Sequence, residues 1–208
     1  MYIPKYFRQE DPEVIRQFII ANGFATLVSH LPEGQLWASH IPLVLGQNAQ
    51  GEDVLWGHIA RANPQWRGFE QFPEVMAIFN GPHAYVSSGW YDHENVPTWN
   101  YIAVHVYGRV AILTGEALYA TLSKMMHKYE AHRPHPVVLE KMNPQFVANQ
   151  IRGIVGFEIA ITDIQAKAKL SQNRDEPNQE RIIQALEAEG DPLAAAIAQA
   201  MRHNQPPA

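Results

Sequence analysis

Apolar residues alternate with polar ones in some stretches of the chain and recur at helical spacing in others. Residues 24–30 and 35–45 read as two strands joined at Pro32-Glu33-Gly34. Further strands are predicted at 54–59, 75–80, 84–88 and 154–164, with a long one at 98–113 in which Gly108 marks a candidate bulge. A helix starts at Asp11-Pro12-Glu13, aligns Val14, Ile15, Phe18 and Ile19 along one apolar face, and stops at Asn22-Gly23. A second, capped by Thr114, aligns Leu118, Leu122, Met125, Met126 and Tyr129 as core filling. Asn63-Pro64 and Asn143-Pro144 open short helices, and two more run over 177–189 and 192–203; the tail from 204 to 208 is expected to fray. Six or so strands in largely hairpin order, with helices inserted, predict a mainly β fold with helical additions, a small antiparallel barrel. No repeat or linker interrupts it, so residues 1–208 are read as one domain with a helical extension over about 175–203.

The 208 residues suffice for one sizeable core, and 46% apolar with 18% charged residues is a globular composition. Sixteen basic residues against 21 acidic ones, with no helix-turn-helix signature or basic stripe, make direct DNA binding doubtful. Without cysteine there is no disulfide framework or thiolate site, which suits the cytoplasm. No apolar run is long enough to cross a membrane, and no signal peptide is recognisable.

The richest stretch is 79–108, with Phe79, Tyr85, Trp90, Tyr91, Trp99, Tyr101 and Tyr107 interspersed with Asn80, His83, Ser87, Ser88, Thr98, Asn100 and His105. Flat rings edged by hydrogen-bonding groups suit a planar cofactor, although a barrel core with a tyrosine rim would share the pattern. In 56–66, His58, Arg61 and the helix start at Asn63 could cradle a phosphate, or could be a surface arginine beside a capping asparagine. Ser39 and His40 must face opposite sides of their strand. Lys169, Ser171, Gln172, Asn173 and Arg174 form a donor-rich segment that would otherwise read as a solvated loop. His127, His132 and His135 do not share one helical face, so no metal site is expected.

ASHIPLVL at 38–45, GHIARANPQW at 57–66, FNGPHAYVSSGWY at 79–91, VPTWNYIAVHVYG at 96–108 and KLSQNR at 169–174 together resemble the PaiB family of FMN-binding negative transcriptional regulators. That family looks like a branch of the FMN-binding split barrels. The resemblance implies a homodimer that holds FMN at the subunit interface. It matches His58 and Arg61 to the strand-end histidine and following basic residue, Asn100 or Tyr101 to the strand position facing the flavin, and Lys169, Ser171, Gln172 and Asn173 to the C-terminal segment. The candidate FMN contacts are therefore Ser39, His40, His58, Arg61, Asn63, Trp99, Asn100, Lys169, Gln172 and Asn173. The expected role is negative transcriptional regulation. The alternatives are a small flavin oxidoreductase or reductase, for which no residue is an evident general base, and a haem-handling protein using His83, His93 or His105.

Overall fold

The computed structural model describes residues 1–204; the tail beyond Asn204, where fraying was expected, lies outside the described residues. In chain order the elements are β1 (Arg8–Gln9), α1 (Pro12–Ala21), β2 (Phe24–His30), β3 (Leu36–Pro42), β4 (Val44–Gln47), β5 (Asp53–Ala60), β6 (Glu74–Val86), β7 (Thr98–Leu113), α2 (Gly115–Glu130), α3 (Pro144–Arg152), β8 (Ile154–Lys169), α4 (Glu176–Ala188) and α5 (Pro192–His203). The eight strands form one sheet in the order β3-β2-β6-β7-β8-β5-β4, with β1 added to β8. The pairs β2–β3, β2–β6, β4–β5, β5–β8 and β1–β8 are antiparallel.

Helix starts carry an Asp or Asn cap with a proline one or two residues after it. Asp11 accepts from the Glu13 and Val14 amides, Asn143 from Gln145 and Phe146, Asp175 from Asn178, and Asp191 from Leu193. Thr114 precedes α2 as expected, but its hydroxyl makes no capping bond; Gly115, at φ +56°, makes the turn instead.

Four expectations need correction. The single strand foreseen at 35–45 is two: β3 pairs with β2, and after Leu43 the chain leaves it to pair as β4 with β5. The strands foreseen at 75–80 and 84–88 are one, β6. Gly81-Pro82 reads as a break, yet the glycine serves packing: a Cβ there would lie 2.6 Å from the Phe18 ring. The last strand runs on to Lys169 rather than ending at 164. Gly108 sits within an unbroken β7 because the Ala160 carbonyl would lie 2.4 Å from a Cβ at that position.

The chain divides into two compact units. Unit 1 comprises Met1–Phe18, Asn80–Val104 and the chain from Gln165 onward; unit 2 comprises Ile19–Phe79 and His105–Ile164. In unit 1, Ala84, Val86 and Leu170 bury one sheet face against Ile182, Ile183 and Leu186 of α4 and Ile197, Ala198 and Met201 of α5. In unit 2 the fully buried side chains include Leu27, Leu43, Leu55, Phe69, Phe79 and Phe157, with the Phe69 and Phe157 rings edge to face at 5.5 Å. A second cluster there joins Val44, Val54, Trp56 and Met125, and the Trp56 indole donates to Glu158 at 2.8 Å.

Candidate functional site

Strand alternation decides what unit 1 presents. On β6 and β7, Ala84, Val86 and Asn100 turn inward, so His83, Tyr85, Trp99 and Tyr101 point the other way. Trp99 is 53% exposed; the Tyr85 ring meets it edge-on at 5.9 Å and the His83 ring lies 6.1 Å away. Asn80, Gly81, His83, Trp99 and Tyr101 line a hollow of about 380 Å³. On β8, Lys167 and Lys169 are two residues apart and share a face. The Lys169 ammonium donates to the Thr98 hydroxyl and, at 2.6 Å, to the Trp99 carbonyl. That of Lys167 donates to the Tyr2 carbonyl at 3.3 Å and lies 5.0 Å from the Tyr101 ring centre.

Lys167 is only 7% exposed and has no carboxylate partner among the described residues. A buried cation held by a carbonyl and ring faces alone is incompletely neutralised. Burial first, then the charges of Lys167 and Arg174, hold the Lys169 pKa below the usual lysine value. Both observations describe a face with surplus positive charge beside exposed rings, the complement of a flat anionic molecule.

Below that face, Asn100 is fully buried and shares two hydrogen bonds with the Ser171 hydroxyl, at 2.9 and 3.2 Å. Ser171 holds a left-handed backbone, φ 61°. Gln172 accepts from the Leu170 amide and donates to the Ala168 carbonyl, so its amide clamps the turn that ends β8. Asn173 is exposed. In this segment Lys169 alone reaches the aromatic face, while Asn100, Ser171 and Gln172 brace it from within.

The other five candidates lie in unit 2. The Ser39 hydroxyl accepts from Asn63 at 2.8 Å, and Asn63 caps the short helix Pro64–Gly68 through the Gln65 amide. Gln65, fully buried, donates to Ser29 and to the Leu27 carbonyl. His40 faces away from Ser39, as alternation requires, against Thr26 at 3.0 Å and the Phe24 ring. Arg61 donates from Nε to the Arg152 carbonyl at 2.8 Å and from Nη2 to that of Ile154 at 2.7 Å. Two of its five donors thus tie the end of β5 to the start of β8, leaving three for a ligand. His58 lines a different cavity, closed by α2 and α3, and burial lowers its pKa. Neither Lys167 nor that cavity was singled out by sequence. Among the proposed haem ligands, His93 is engaged by Asp92 at 2.7 Å, His83 is exposed, and the Nδ1 of His105 is buried without a partner.

Residues 1–163 match the family described as "Putative FMN-binding domain". The chain is 46% identical over 202 residues to the Bacillus subtilis protein named Protease synthase and sporulation protein PAI 2, covering 97% of this chain and 96% of that one. The chain belongs to the PaiB family of FMN-binding proteins. Among solved structures it is similar to a conserved hypothetical protein from Mycobacterium tuberculosis (TM-score 0.59, 15% identity, 85% of this chain and 95% of that one). A FAD- and haem-binding protein from Mycobacterium smegmatis gives a TM-score of 0.57 at 13% identity, over 88% and 80% of the two chains. At these identities the likeness is one of fold, and the fold is the split barrel. FMN is the cofactor that PaiB-family membership assigns, and the unit 1 face fits it: exposed rings for the flat isoalloxazine, and an incompletely neutralised cation beside them for its negative charge. No described helix is long and apolar enough to cross a membrane.

Proposed function

We propose that this PaiB-type protein seats FMN on the unit 1 face formed by His83, Tyr85, Trp99, Tyr101, Lys167 and Lys169, and works as a flavin-dependent negative regulator of transcription. The observation that carries the site is Lys167, a buried cation with no carboxylate partner among the described residues, beside an exposed aromatic hollow. The regulatory role follows the PaiB relative, named for protease synthesis and sporulation. In this reading the rings pack on the isoalloxazine and the lysines donate to the oxygens and nitrogens of its edge, which gain negative charge on reduction, while FMN, when bound, supplies the redox chemistry.

The working unit is a homodimer. A half-exposed Trp99 beside exposed Tyr85 and His83 is a surface that a second copy would cover together with the flavin. The chain acts as one FMN-binding domain in the cytoplasm, with α4 and α5 as its extension; the family match ends at 163, before both helices.

Titration of FMN by flavin fluorescence tests the site. Lys167→Met and Lys169→Ala should each weaken FMN, and Lys169→Ala should also lower the midpoint potential of bound FMN, because the reduced ring is the more anionic form. Unchanged affinity in both variants removes the face from the site. Bleaching of bound FMN by NADH or NADPH would favour the oxidoreductase reading instead.

A further inference from the structure

Unit 2 holds a cavity of about 420 Å³ that the flavin reading does not use. Leu122, Met125, Met126 and Tyr129 of α2, Phe146, Val147 and Ile151 of α3, and Met142 before α3 enclose it, and His58 at the end of β5 lines it. The volume lies within the range of small-molecule sites. Three thioethers and two aromatic rings in the lining make a polarisable, adaptable surface suited to an aromatic guest.

The polar groups set the guest's charge. The Nδ1 of His58 is enclosed and has no protein partner. Burial lowers the imidazole pKa, so the ring is neutral near pH 7 and offers one nitrogen to a hydrogen bond rather than a charge to an anion. The one acidic or basic side chain besides it in the lining, Glu130, is a carboxylate already engaged by the Val137 amide at 3.1 Å and by Arg133 at 3.3 Å. Among the described residues of the lining there is no lysine or arginine, so an anionic ligand would find no cation to offset its desolvation.

We infer that this cavity binds a neutral aromatic compound carrying one hydrogen-bonding group of the phenol type, with His58 as the polar anchor. The cavity and the proposed flavin face draw on different residues, one set from each unit.

The probe is 2-naphthol, compared with naphthalene and 2-naphthoate by calorimetry and ligand-observed NMR on the full chain. The expected order is 2-naphthol above naphthalene by about fivefold, the worth of one neutral hydrogen bond, with 2-naphthoate weakest. His58→Phe should erase the preference of naphthol over naphthalene. Leu122→Trp, which fills the cavity, should cut 2-naphthol binding at least tenfold and leave the FMN titration unchanged. Tightest binding by 2-naphthoate, equal binding by naphthol and naphthalene in the unmodified protein, or full 2-naphthol affinity in a folded Leu122→Trp protein would each overturn the inference. Failure of FMN to bind the unmodified protein would bear on the flavin face alone.

Discussion

Lys169 illustrates how a single side chain couples the proposed ligand to pH. In the free protein its ammonium is disfavoured by burial and by two neighbouring cations, so its pKa lies below the ordinary lysine value. An anion beside it raises that pKa again. FMN binding should therefore take up protons at alkaline pH, and affinity should fall as pH rises above the pKa of Lys169 in the free protein. Calorimetry in two buffers of different ionisation enthalpy reads this proton uptake, which Lys169→Met should abolish. The same depressed pKa means that the unfolded chain binds more protons between the two values, so this lysine favours folding more as pH rises through that window. At the same scale, Ser171 keeps its left-handed backbone because Asn100 and Gln172 hold the segment on both sides. Asn100→Ala should destabilise the protein by about 1–3 kcal/mol, the cost of leaving buried polar groups unpaired, as read from urea unfolding.

Arg61 joins two elements before it can serve any ligand. Its side chain holds the Arg152 and Ile154 carbonyls, and its backbone amide donates to the Gly153 carbonyl at 2.8 Å. Arg61→Ala should lower the urea midpoint whether or not FMN is present. If the remaining donors also hold the phosphate, the variant loses more affinity for FMN than for riboflavin; equal losses leave Arg61 as a tie between β5 and β8. Much at this scale was readable from sequence. The Asx-Pro starts of α1, α3 and α5 and the alternation of β7 announce themselves locally. The end of β8 did not, because Gln165 to Lys169 alternates small and polar residues like a surface loop, and the small ones pack inward only once α5 is in place. The aromatic face was legible as rings with polar tips. Lys167 was not, since a lysine in a polar strand reads as solvated until Tyr2 and Tyr101 enclose it. The cavity beside His58 needs α2 and α3 to close over residues far away in sequence, so the helical methionine pattern read only as core.

For the whole molecule, charge and surface set the partners. With a net charge of −5 and no recognition helix foreseen from the sequence, counterion release can contribute little to DNA affinity. Gel shifts at physiological salt, with and without FMN, should show weak or no sequence-specific binding. A nanomolar complex would mean that the protein contacts its operator itself. Light scattering at micromolar concentration should report a dimer, and a monomer there would count against the flavin face as well, because half-exposed rings would then have no cover. Trp99 brings a last consequence. Trp56 is buried and hydrogen-bonded to Glu158, whereas Trp99 stands half in water on the proposed flavin face. Of the five indoles, these two are the extremes, one shaded and one open, with Trp37, Trp66 and Trp90 between them. A flavin laid over Trp99 would quench the most water-exposed of the five tryptophans and shift the emission left by Trp37, Trp56, Trp66 and Trp90 toward the blue, so the protein carries its own optical gauge of occupancy.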